Sequence, residues 1–296
     1  MEPRVTAACP ADPERPCELA SIGDFFDRSG LVGAVSVHRC GRCGVGVSRP
    51  PLPDVSFLYA DRSSADFQQK TGGLARLIKT VAFRRQARRL LAEVPGTPSR
   101  VIDYGCGSGL FTRCLGEVLG PGAEVTGVDF HPDAPADLGE APYRAFSAVS
   151  DLRGTADLLT LMHVVEHDDD PHGLLAGVLP LLAPGSHVLI EVPNVDCVWA
   201  RVFGRFWDAW YLPYHRIHFS RRSLRAVVED CGLTVVREVD ACVPVTGRTL
   251  ANLTGRSNSL LFILLGAALH PVQWGVERAL RRPSALRLIA RKPVQL

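Results

Sequence analysis

Apolar and polar positions alternate in two different ways along this chain. From residue 100 onward, short apolar runs alternate with segments of helical spacing. The runs Arg100–Tyr104, Glu124–Phe130, Tyr143–Ala148, Ala156–Met162, His187–Val192, Leu233–Val239 and Leu286–Ala290 predict seven strands. Between them, Leu110–Leu119, Pro171–Leu182 and Ser220–Cys231 predict helices, the second opening on proline and the third on a serine cap. Strands alternating with helices predict an α/β fold, a doubly wound and mostly parallel seven-stranded sheet. Upstream, Leu77, Ile78, Val81 and Ala82 recur at helical spacing and predict a helix over Asp66–Glu93. Residues 1–60 are punctuated by proline and read as irregular, with short extended pieces at Leu31–Val37 and Val45–Val47.

Composition narrows the class. Of 296 residues, 46% are apolar and 22% charged, which fits a globular chain and excludes wholesale disorder. The formal charge of +2 argues against a dedicated nucleic-acid binder. The first residues lack the apolar core of a secretory signal. The run Leu260–Leu269 is about half of the roughly 20 residues that span a bilayer. A cytoplasmic protein is expected. Four of the nine cysteines, Cys9, Cys17, Cys40 and Cys43, crowd into the first 43 residues.

The central motif is Val101-Ile102-Asp103-Tyr104-Gly105-Cys106-Gly107-Ser108-Gly109, between a strand and a helix. Glycines there let a ligand approach the backbone, and the helix N-terminus favours negative charge. About 20 residues further on, Asp129 ends the second strand, where an acid can accept from both ribose hydroxyls of a nucleoside. The spacing Gly-x-Gly-x-Gly differs from the dinucleotide fingerprint Gly-x-Gly-x-x-Gly. Asp103, just ahead of the loop, suits a cationic ligand better than a pyrophosphate.

These residues resemble the class I S-adenosylmethionine-dependent methyltransferases, over about Arg100–Pro193. The resemblance implies that Gly105, Cys106, Gly107 and Gly109 line the methionine portion of the cofactor, with Asp103 near its amino group. It puts Asp129 on the ribose and Phe130 beside the adenine. It also turns the end of the fourth strand, Met162-His163, toward the transferable methyl. The base-methylating motif Asn/Asp-Pro-Pro-Tyr/Phe is missing there. Instead Glu166-His167 followed by acids and Pro171 resembles the small-molecule branch.

Transfer to a hydroxyl needs a base, and His is the natural one near neutral pH. Candidates are His167, His218, His215 and His163, with His167 and His218 the first choices. Glu166 and His167, with a further acid, offer a divalent-cation alternative. Residues 194–220 are dense in aromatics and predict a cap, either over the acceptor or as a small satellite core. The insertion 246–283 holds an apolar helix that should be buried, pair in a homodimer or touch a membrane through 257–282.

Cys40-Gly41-Arg42-Cys43 has the form of a zinc knuckle, with Cys9 and Cys17, or His38, as further ligands. Some relatives of this branch carry an N-terminal zinc ribbon with two Cys pairs; here Cys9 and Cys17 stand eight apart, so reduced cysteines without metal are the alternative. The expected layout is a Cys-containing appendage over 1–65 and a methyltransferase domain over 66–296. The expected reaction is methyl transfer from S-adenosylmethionine to oxygen, or carbon, of a small lipophilic or glycosidic acceptor such as a sugar, quinone, lipid or secondary metabolite. Two other classes remain open: an NAD(P)-dependent oxidoreductase, and a non-catalytic zinc-knuckle module that binds RNA or protein.

Overall fold

The computed structural model describes residues 5–27, 30–52, 54–60, 73–256 and 259–294. Twelve strands among them form two sheets. The larger sheet contains β5 (Arg100–Tyr104), β6 (Glu124–Asp129), β7 (Tyr143–Ala145), β8 (Ala156–Met162), β9 (Leu182–Pro193), β11 (Thr234–Ala241) and β12 (Ala285–Arg291). Their order is β11-β12-β9-β8-β5-β6-β7. Parallel pairing joins β9 through β7, and β12 runs antiparallel between β9 and β11. The chain therefore reverses its winding at β5 and β8. In open α/β sheets, ligands bind beyond the carboxyl ends of the strands at such a switch point. Leu158, Leu159 and Leu161 of β8 and Val188, Leu189 and Ile190 of β9 are buried, as helix-covered strands require.

All seven strands expected in this sheet are present, with altered ends. The run after β7 does not stay extended: Phe146–Ala148 turns into a single 3₁₀ turn. The helix from Pro171 ends at Val178, and β9 begins at Leu182 rather than His187. Pro184 and Gly185 bulge out within β9, since Ala156 pairs with Leu182 while Leu158 pairs with His187. The helix expected over Asp66–Glu93 is seen over Gly73–Glu93; its first residues lie outside those described.

Residues before 60 are far more regular than their prolines suggest. β1 (Val5–Cys9), β2 (Asp12–Phe25), β3 (Val35–Cys40) and β4 (Gly46–Arg49) form an antiparallel sheet. Its fifth strand is β10 (Ile217–His218), which pairs with β4 from the far side of the cap. The extended piece expected at Leu31–Val37 lies over Val35–Cys40 instead. A strand on a mixed surface has no apolar run to announce it, and its partner β10 is about 170 residues away.

The cap and the sheet share a satellite core. Trp207, Trp210, Leu212, Val35 and Val37 are buried together, with Phe25 4.9 Å from the Trp210 ring. The expected apolar helix runs over Leu260–Leu280. It is not buried all round: Phe262, Gln273 and Glu277 face inward, while Leu261, Leu264 and Val272 are exposed. No helix among the described residues is long and apolar enough to cross a membrane.

Candidate active site

The glycine loop leaves β5 in a conformation that other residues rarely adopt. Gly105, Gly107 and Gly109 have φ of +77°, +54° and +76°. Two of them are also held by close approach. A Cβ on Gly105 would stand 2.5 Å from Val164 Cγ2, and one on Gly109 would stand 2.6 Å from Leu138 Cβ. Above Gly107 nothing lies within 4 Å, so the loop keeps open space where a ligand backbone contact belongs.

Two carboxylates brace the loop. Asp129 accepts from the Gly107 amide at 2.7 Å and from the Phe130 amide at 2.8 Å. Burial raises its pKa, and those two amides pull the other way. Asp103 is buried and accepts from the Thr112 and Thr160 hydroxyls at 2.6 and 2.7 Å. Burial pushes its pKa up to about 6 against those two hydroxyls. Cys106 is buried under the loop against Gly127. Phe130, by contrast, is 39% exposed, and its ring lies 5.4 Å from Tyr59.

The strand before the turn Val165–His167 ends at Met162. His163 follows in a left-handed conformation, φ 57°. Its ring bridges two acids, Nδ1 at 3.2 Å from Glu166 and Nε2 at 3.3 Å from Glu191. Burial alone would lower its pKa; the two carboxylates outweigh that and raise it to about 10. His163 is therefore a cation at neutral pH. Beyond Glu191 the chain of charges continues to Arg287, whose Nε donates to Glu191 at 2.8 Å, and on to Glu93.

Val165–His167 forms a 3₁₀ turn. It brings one atom each of Glu166, His167 and His215 within 4.8 Å of one another. The His167 and His215 rings meet edge to face at 4.7 Å. Glu166 Oε2 is buried without a partner among the described residues. The Tyr59 hydroxyl lies 2.7 Å from His167 Nδ1. His215 is buried, with Nδ1 2.8 Å from the Ala209 carbonyl. Burial, with the nearby His167 and His218, lowers its pKa well below the ordinary value. His218 sits elsewhere, in β10, with Nε2 3.0 Å from Ser48 Oγ and its ring 5.0 Å from Trp210. Burial, helped by Arg216, takes its pKa down to about 3.

The Methyltransferase domain family matches residues 77–238, more than half of the chain. The chain belongs to that family. Relatives of this methyltransferase include the ubiquinone biosynthesis O-methyltransferase of Xanthomonas euvesicatoria, 32% identical over 177 residues, which are 54% of this chain and 72% of the relative. The protein of the same name from Burkholderia pseudomallei is 28% identical over 162 residues, 49% of this chain and 68% of the relative. Among solved structures, the fold matches that of Burkholderia thailandensis 1,6-didemethyltoxoflavin-N1-methyltransferase with bound S-adenosylhomocysteine. The TM-score is 0.51 at 18% identity, over 91% of this chain and 99% of that one. The enzyme is an S-adenosylmethionine-dependent methyltransferase, and the open cradle over Gly107 with the acid at the end of β6 fits that cofactor.

In the N-terminal sheet, the Cys9, Cys17, Cys40 and Cys43 sulfurs converge within 4.8 Å. Zn–S bonds of about 2.3 Å place the sulfurs of a tetrahedron roughly 3.8 Å apart, so the donor set fits zinc. The spacing of eight between Cys9 and Cys17 is no obstacle, because the β1–β2 hairpin, with a register shift at Cys9, folds one back toward the other.

Several residues with a place in the site were not legible in the sequence. Tyr59 belongs to no motif and reaches His167 from a short helix, Phe57–Ala60, of the N-terminal segment. Arg216 is fully buried and clamps the turn around Glu166. Its Nε donates to Asp169 at 3.1 Å, its amide donates to the Glu166 carbonyl at 2.7 Å, and its carbonyl accepts from the Ser48 amide. Glu191 did carry a signal, a lone acid inside the buried run Val188–Val192.

Proposed function

We propose that the enzyme methylates a hydroxyl oxygen of a small acceptor, with His167 as general base and Tyr59 as the residue that orients it. The observation that carries this reading is the Tyr59–His167 contact of 2.7 Å, in the turn whose Val164 abuts Gly105 of the glycine loop. When bound, S-adenosylmethionine supplies an electrophilic methyl on a sulfonium, which leaves as a neutral thioether. The acceptor oxygen bonds to that carbon as its proton passes to His167. With Nδ1 at Tyr59, proton exchange falls to Nε2. His163, already protonated by its two acids, serves instead to hold Glu166 in place. His215 backs the ring of His167. His218 joins β10 to β4, so its role in this reading is positioning. The O-methyltransferase names of the relatives support oxygen over carbon, and their quinone pathway supports a lipophilic acceptor.

The N-terminal sheet, β1–β4, is read as a zinc ribbon docked on the methyltransferase domain. Ser220 Oγ, the cap of helix Arg221–Asp230, donates to the Cys43 carbonyl at 2.7 Å, and Arg222 donates to the Arg42 carbonyl. The exposed face of helix Leu260–Leu280, with Arg278 5.6 Å over the Trp274 ring, suits contact with the surface that delivers such an acceptor.

The test is calorimetry with S-adenosylhomocysteine, followed by turnover with a panel of catechols and quinols. His167→Gln should lower kcat about 10²–10⁴-fold and leave S-adenosylhomocysteine affinity within about twofold. Wild-type kcat in that variant refutes the base assignment. Absence of S-adenosylhomocysteine binding refutes the whole reading.

A further inference from the structure

A cavity of about 530 Å³ opens where the end of β2, the cap after β9 and helix Thr246–Leu253 meet. That volume falls in the range of roughly 300–1,000 Å³ that small-molecule sites occupy. Its walls combine apolar side chains, among them Phe25, Phe206 and Leu253, with the polar Asn252 and Thr254. Two cations stand on it. Arg205 lies 5.1 Å over the Phe26 ring and 5.2 Å over the Phe206 ring. Arg256 lines the side where helix Thr246–Leu253 ends.

Among the described residues, neither guanidinium has a carboxylate within ion-pair distance. The nearby acid Asp208 is taken by Arg248 at 4.0 Å and by Asn252. Two guanidiniums without a carboxylate partner, beside the apolar side chains of Phe25, Phe206 and Leu253, favour a ligand with an apolar body and an anionic end. A neutral quinol or a sugar would leave both cations unused.

The cavity also borders the proposed catalytic cluster. Tyr211 lines it, and the same ring lies 5.3 Å from His215 and 5.0 Å from Tyr214. Tyr214 in turn lies 5.7 Å from Tyr59. A run of ring contacts, Tyr211 to His215 to His167, thus joins the rim of the cavity to His167. Tyr211 holds a left-handed backbone, φ 40°, a strained state for a non-glycine residue and one that recurs at functional sites.

We propose that this cavity is the acceptor subsite, and that it takes an amphipathic acceptor whose carboxylate or phosphate sits at Arg205 and Arg256 while its hydroxyl passes Tyr211 toward His167. This rests on the reading of the enzyme as a methyltransferase of small hydroxylated acceptors.

Three probes of equal chain length separate the terms: dodecanoate, dodecyl phosphate and dodecanol. Each is titrated calorimetrically below its micelle concentration, with and without S-adenosylhomocysteine. Both acids should bind at least about tenfold more tightly than the alcohol, and the tighter of the two assigns carboxylate or phosphate. The double variant Arg205→Gln/Arg256→Gln should weaken both acids about tenfold and leave dodecanol unchanged. Leu253→Trp, which fills the cavity, should abolish acid binding while the circular dichroism spectrum stays that of the wild type. Equal affinity for alcohol and acids overturns the proposal, as does acid binding that survives both variants. Loss of S-adenosylhomocysteine binding alone would overturn the functional reading and not the anion site.

Discussion

Replacing Arg216 by methionine removes the cation that fastens the N-terminal sheet to the turn after β8 and keeps most of the side-chain volume. The wild-type guanidinium is fully buried and meets Asp169 at 3.1 Å, the carbonyls of Ser48 and Pro213 at 3.4 Å, and the Pro50 carbonyl. Breaking a buried pair by removing one partner costs about 3–5 kcal/mol, because the other charge is left without compensation. Asp169 softens that cost. It is 21% exposed and keeps the Leu52 amide at 2.7 Å. The three carbonyls, each losing a donor, push the other way. The expected loss is about 3 kcal/mol, or a fall in Tm of roughly 6–12 °C. Urea unfolding followed by circular dichroism measures it. A second substitution, Asp169→Asn, should recover part of the loss in the Arg216→Met background and cost stability on its own, with a coupling of about 1–3 kcal/mol. A loss below about 1 kcal/mol, or strict additivity of the two changes, would refute the argument that this cation joins the two parts.

Gly107→Ala places its methyl in open space at φ +54°, so it should cost only about 1–2 kcal/mol of left-handed strain and yet weaken S-adenosylhomocysteine at least tenfold by calorimetry. Gly109→Ala adds backbone overlap with Leu138 and should lose more stability than Gly107→Ala in the same melt. Two histidines should shape stability against pH with opposite sign. The folded pKa of His163, raised to about 10, makes its contribution complete below about 6.5 and lost as pH climbs from there toward 10. The folded pKa of His218, lowered to about 3, makes its contribution present above about 6.5 and lost as pH falls toward 3. Denaturation across pH should show both limbs, and His163→Gln should flatten the alkaline one. Cys40→Ser should take zinc, measured by plasma mass spectrometry, from one equivalent to none and speed amide exchange across β1–β3.

The glycine loop and the acid beside it were written locally, and so their geometry could be read. A strand, three glycines, a helix and an acid at the next strand end are all neighbours in sequence, and each has one backbone conformation to satisfy. That Asp129 braces a left-handed glycine loop, Gly105, Gly107 and Gly109, follows from the order of the chain. The apolar strands β8 and β9 were legible for the same reason, since both faces are buried and the pattern is continuous. The N-terminal sheet was not. Its strands carry mixed faces and prolines, and the strand that completes it comes from the cap.

What the sequence by itself determined is the set of donors and the sheet that carries the glycine loop. Tertiary structure alone decided which donors meet. Cys9 and Cys17 join Cys40 and Cys43 only because antiparallel pairing folds the chain back on itself. Tyr59 reaches His167 across 108 residues, and Arg216 reaches the turn after β8 from the far end of the cap. Of four candidate histidines, burial and neighbouring charge raise the pKa of His163 and lower those of His215 and His218, while His167 stands beside Tyr59. A proton's place depends on what surrounds the ring, and for these four rings the surroundings come from segments far apart in the chain.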